Sequence, residues 1–270
     1  MTIKKSLKII TLILLTISLG IFWENPVLMP VKLLVVYLHE ISHAIATVIT
    51  GGEVRVIAVS MDESGFTQTT GGNFMAIAGA GYLGSSIFGS LMLHSGLSGK
   101  FVRTVSWSIG VLIICFTILV PEKIPLLALI SGISWGAIFI ATVLMFHQVN
   151  RSLLFIMGGL TSLYSVYDLL DFFRGNIFET DAGLIAKHFI HNPSNQVIFA
   201  YATAIGISIL SIWVLYRVTM HAINTGKIEI EEPPLEEETT VHPVENIPPE
   251  AFEMLAKLQQ AQQSQQLNGK

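Results

Sequence analysis

The chain has 270 residues, of which 51% are hydrophobic and only 13% charged. A soluble globular domain carries about twice that share of charge, so the composition points to an all-α polytopic membrane protein held in a lipid bilayer. The net charge of −4 hides a division: from Lys227 onward there are nine Glu against three Lys, which leaves the first 226 residues at +2. No basic stripe points to nucleic acid, and a single cysteine, Cys115, excludes an intrachain disulfide and a cysteine-built metal site.

Seven apolar stretches have the length needed to cross about 30 Å of hydrocarbon, at about 7–23, 27–49, 74–94, 102–120, 125–146, 152–172 and 196–217. The first follows Lys4, Lys5 and Lys8 and lacks a small-x-small cleavage site, so it reads as a retained span. Those lysines place the N-terminus in the cytoplasm. The second stretch contains Leu38-His39-Glu40-Ile41-Ser42-His43-Ala44. Residues four apart share a helix face, so His39 and His43 offer two imidazoles one turn apart, the spacing at which neutral histidines hold Zn²⁺. Glu40 stands beside them as a candidate general base. Three ionisable side chains in hydrocarbon are costly, and an accidental trio would oppose insertion.

Between the second and third spans, residues 53–70 alternate, are rich in β-branched residues and carry turn residues from Asp62 to Gly65, which predicts a small β-hairpin between glycine pairs. Its free edge offers pairing to an extended strand. The third span is rich in small residues from Ala76 to Ser90, a pattern that lets helices approach closely. Pro121 to Pro125 joins the fourth and fifth spans tightly enough for an antiparallel pair. The sixth span ends in Tyr167-Asp168-Leu169-Leu170-Asp171. It runs parallel to the second, so Asp168 and Asp171 share a leaflet with the two histidines. A catalytic tetrahedral site needs a third protein ligand. Asp168 is the first choice, with Asp171 nearer the polar exit and Arg174. Beyond Gly175, Thr180 or Asp181 is a candidate cap for a short helix; His94, His188 and His191 read as interfacial or loop residues. Residues 1–225 are thus the membrane domain, and the Glu-, Pro- and Gln-rich residues 226–270 a disordered tail.

These residues resemble the site-2-protease group of intramembrane zinc metallopeptidases, nearest its bacterial branch of short members without a PDZ domain. The resemblance spans about residues 31–187. It rests on His39-Glu40-Ile41-Ser42-His43-Ala44, Thr50-Gly51-Gly52, Gly65-Phe66-Thr67, Gly71-Gly72, Ala80-Gly81-Tyr82-Leu83-Gly84, the Asp168/Asp171 pair and Asp181-Ala182. It implies a bacterial cytoplasmic membrane, His39 and His43 as Zn²⁺ ligands, Glu40 as catalytic base, and a later aspartate as third ligand. Better-known members carry Leu-Asp-Gly there, whereas Leu170-Asp171 is followed by Phe172, so Asp168 and Asp171 both stay open. The expected reaction is hydrolysis of peptide bonds in transmembrane or membrane-associated protein substrates. The competing reading is a divalent-metal transporter or a pseudoprotease that binds membrane partners.

Overall fold

In a computed structural model, residues 25–120, 124–145, 147–172 and 177–225 are described, with five isolated positions before residue 25; of residues 145 and 164–172 only the backbone is described. The first expected span and the C-terminal tail therefore fall mainly outside the described residues. After a 3₁₀ turn at Pro26–Leu28, the elements are α1 (Met29–Ile49), β1 (Glu53–Val59), β2 (Gly65–Thr70), α2 (Phe74–Ser98), α3 (Val102–Leu119), α4 (Leu126–Met145), α5 (His147–Phe172), a 3₁₀ turn (Ile177–Glu179), α6 (Asp181–Phe189) and α7 (Pro193–Thr225).

Five helices are long and apolar enough to cross a membrane among the described residues: the one ending at Ile49, then α2, α3, α4 and α7. The expected count of seven spans is not reached. The stretch 7–23 is largely undescribed, and α5, though 26 residues long, is not among the five. Its first turns carry Gln148, Asn150 and Arg151, and its last turns Asp168 and Asp171, which dilutes its apolar length. Arg151 is nonetheless engaged, donating to the carbonyls of Gly96 and Leu97 at the end of α2.

α1 is the hub. It is apolar on nearly every side, and Leu34, Val35, Leu38, Ile41 and Ala44 are fully buried. Small residues set how near its neighbours come. On α2, Gly81 faces His39 and His43, and Gly84 faces Ser42. Gly89 and Gly96 then face Ser162 and Phe155 of α5. Ile77 meets His43 while Ser85 meets His39, so α2 runs antiparallel to α1 as it does to α5, and α1 and α5 are parallel to each other, as the span count implied. Thr117 meets Gly132 while Gly110 meets Ile140, which makes α3 and α4 the expected antiparallel pair.

The hairpin also forms where the alternation placed it. β1 and β2 pair antiparallel from Glu53↔Thr70 to Val59↔Gly65, with an irregularity between Val54 and Val56. Rather than standing free, it lies against α1. An isolated two-stranded sheet is marginal in water, and here Val54, Ile57 and Val59 join the core of the helical bundle. At its tip Glu63, in the left-handed region at φ 69°, forms an ion pair with Lys32, which is only 2% exposed.

That pair generates a test. Lys32→Met removes the ion pair with Glu63 and should lower the unfolding midpoint in detergent. The loss should stay below the about 3–5 kcal/mol of a fully buried broken pair, because Glu63 is 26% exposed. Adding Glu63→Met should recover part of it; an unchanged midpoint in Lys32→Met would mean that the pair does not anchor the hairpin.

Candidate metal centre

His39 and His43 project from consecutive turns of α1 with ring centroids 4.8 Å apart. Both are 7% exposed and Glu40 is 4% exposed. The His43 ring is oriented by α2: its Nδ1 is 2.6 Å from the carbonyl oxygen of Ile77. A carbonyl only accepts, so Nδ1 carries the proton and Nε2 keeps its lone pair. His39 Nδ1 is 3.4 Å from the Ser85 hydroxyl, whose own proton goes to the Gly81 carbonyl at 2.7 Å. Ser85 is thus left as acceptor, and His39 too presents a bare Nε2. Partners on the far ring nitrogen of this kind fix tautomer and orientation in metal-binding histidines.

Both Nε2 atoms converge on one carboxylate oxygen. Asp181 Oδ2 lies 3.0 Å from His39 Nε2 and 3.2 Å from His43 Nε2. Asp181 is the first residue of α6, and Thr180 is the cap, its hydroxyl accepting from the Gly183 amide at 3.2 Å. Capping by Thr180 frees the Asp181 carboxylate to turn inward.

His39, His43 and Asp181 are the one group of three potential ligands found among the described residues, with one ligand atom from each within 4.8 Å of the others. Metal–ligand bonds of 2.0–2.2 Å set tetrahedron edges of about 3.4 Å, close to the two imidazole–carboxylate spacings observed. The donor set of two neutral imidazoles and one carboxylate fits a divalent cation with one open position. The α2 backbone lies directly against these atoms: a Cβ at Gly81 would run into His39 Nε2 and His43 Nε2.

The sequence motif therefore locates two of the three converging side chains. Asp168 and Asp171 fall on helical backbone of α5, as expected, but their side chains lie outside the described residues. Asp181 was read only as a candidate cap. The signal that was available was its position directly after a capping threonine, in the Asp181-Ala182 pair that carried part of the resemblance. Of the other histidines, His188, read as a loop residue, lies in α6 and stacks on Phe74 at 4.6 Å, and His94 stacks on His221 at 5.5 Å.

Glu40, the residue between the ligands, is held by the hairpin. The Thr67 hydroxyl donates to Glu40 Oε2 at 2.7 Å and lies 3.0 Å from the Glu40 carbonyl oxygen. A Cβ at Gly65 would come within 2.6 Å of Glu40 Oε1, so β2 lies directly on the carboxylate.

A protein-family model described as peptidase M50B-like matches residues 12–218. Searches of curated proteins and of solved structures return no match.

The contact at Gly81 makes a prediction about the centre that is separate from its ligands. Gly81→Ala adds one methyl group aimed at both Nε2 atoms, and bound metal per chain should fall sharply while the helical circular dichroism is kept. Metal analysis of the purified variant checks this; full metal content would place the ion elsewhere.

Proposed function

Because this chain belongs to the peptidase M50B-like family, we propose that it is a site-2-protease-type intramembrane zinc metalloprotease that hydrolyses peptide bonds of membrane-embedded or membrane-proximal proteins. The observation that carries the proposal is the convergence of His39, His43 and Asp181 at 3.0–3.2 Å, next to Glu40 on α1, a helix apolar enough to span a membrane. His39, His43 and Asp181 would hold the ion. When bound, Zn²⁺ supplies a Lewis acid and lowers the pKa of water at the open position. Glu40 is one residue from His39, about 100° round the helix, so it can reach that water without completing the ligand set. It accepts the water proton and delivers it to the leaving amine.

A transmembrane helix satisfies all its backbone groups internally and must unwind before its peptide bond can be attacked. The hairpin suits the extended form. β2 pairs with β1 along one edge, and no further strand pairs with its other edge among the described residues. An extended substrate segment adding to that edge would gain main-chain hydrogen bonds beside Glu40.

Two experiments test the reading. In proteoliposomes carrying tagged single-span proteins, Glu40→Gln should keep its zinc and lose cleavage by about 10²–10⁴-fold, the usual contribution of a general base. Equal product at equal zinc would defeat the mechanism. A transporter would instead show metal flux and no product that depends on Glu40. For the third ligand, Asp181→Asn should remove zinc as His39→Ala and His43→Ala do. Asp168→Asn and Asp171→Asn should cost at most the about 10–100-fold of outer-shell partners; the reverse ranking would return the ligand to α5.

A further inference from the structure

Glu40 is not the only residue whose placement the chemistry depends on. The hairpin runs along a single face of α1, touching it at steps of four, four and seven residues. Lys32 pairs with Glu63, Val36 lies under Gly65, Glu40 lies under Gly65 and Thr67, and Thr47 lies against Gly52. In a strand, residues two apart point the same way. Gly65 and Thr67 therefore form a matched pair toward α1: the first supplies close approach by having no side chain, the second a donor at that depth. A slip of one residue would turn both away. The chain prevents the slip at both ends. Glu63 is tied to Lys32 at the tip, and the Asn73 amide donates to the Thr50 hydroxyl at the base.

The Thr67 hydroxyl has one proton and two acceptors on the same residue. The Glu40 main-chain oxygen lies inside a helix, where it already serves as acceptor in the α-helical ladder. The carboxylate oxygen is nearer, at 2.7 against 3.0 Å, and hydrogen bonds to an ionised acceptor are about twice as strong as neutral ones. Oε2 is thus held, while Oε1 lies over Gly65. A glutamate has three side-chain torsions to settle, and this bond, with the glycine floor, fixes them within a site that is otherwise closed.

We infer that Thr67 is a positioning residue: donated from β2, its hydroxyl sets the rotamer of the Glu40 carboxylate for proton transfer, so the strand proposed to bind substrate also aims the base. This rests on the reading of Glu40 as general base. It accounts for a polar β-branched residue pointing inward against the bundle, where packing alone would take valine.

The test uses Thr67→Val, which keeps the shape and loses the donor, and Thr67→Ser, which keeps the donor and loses the methyl. Both are assayed in proteoliposomes beside wild type and Glu40→Gln. Thr67→Val should lower kcat by about 10–100-fold, as expected when a reacting group is displaced by about 1 Å, with KM and zinc content unchanged. Thr67→Ser should restore most of the rate. Should Thr67→Val match wild type, or Thr67→Ser lose more than Thr67→Val, the role is one of packing and the inference fails. The underlying reading is judged separately: if wild type and Glu40→Gln release product equally, the base assignment fails and Thr67 has nothing to aim.

Discussion

The orientation of the two histidines depends on how closely α2 approaches α1, and Gly81 permits that approach by having no side chain. With no Cβ there or at Gly84, its backbone comes close enough to α1 for the Ile77 carbonyl to reach His43 Nδ1 and for Ser85 to stand beside His39 Nδ1. Those contacts decide which ring nitrogens are bare. Once the two Nε2 atoms are fixed, a single carboxylate from a third element completes the set. The same device continues along α2, where Gly89 and Gly96 bring α5 against it. The run of small residues is thus one packing surface with two consequences: a candidate metal centre at one level and a tight helix pair at the next.

How much of this was legible in the sequence follows from the range of each constraint. His39, Glu40 and His43 were readable because a spacing of four is a property of one helix turn. The hairpin was readable because alternation and turn residues are equally local. Apolar length found α2, α3, α4 and α7, whose lipid-facing residues, such as Leu126 and Ile209, stay exposed. Apolar length served α5 less well, because polar side chains occupy both of its ends. Asp181 was out of reach by these means. It lies 142 residues from His39 and arrives by way of a 3₁₀ turn, the Thr180 cap and a short helix packed on α2 and α7. Reasoning from span count and depth pointed to the aspartates of α5, since depth counts only elements that cross the membrane. It overlooks one that folds back onto the site from its rim.

Charge is handled in the same way wherever this bundle admits it. Lys32 has Glu63, and Glu40 has the Thr67 hydroxyl. An ionisable group left alone at membrane depth costs about 2.5–3.5 kcal/mol on insertion scales. Lifting the hairpin off α1 would strip Lys32 of its counter-charge and Glu40 of its donor together, and would uncover Val54, Ile57 and Val59. Opening the site by removing the hairpin is therefore a costly route.

Yet hydrolysis needs a peptide and a water molecule to reach side chains only 4–7% exposed. The geometry reconciles these demands if the hairpin stays docked through its inner face and receives substrate on its outer edge. An added strand would then lie next to β2 at about 4.8 Å, the ordinary spacing of paired strands, without disturbing Gly65 or Thr67. In the proposed function, the group that aims the base and the edge that presents the peptide are the two sides of one strand. Alignment of substrate with base is then set by β-pairing register, which the Lys32–Glu63 pair fixes from eight residues before Glu40 on the same face of α1 and four before Thr67 in the hairpin.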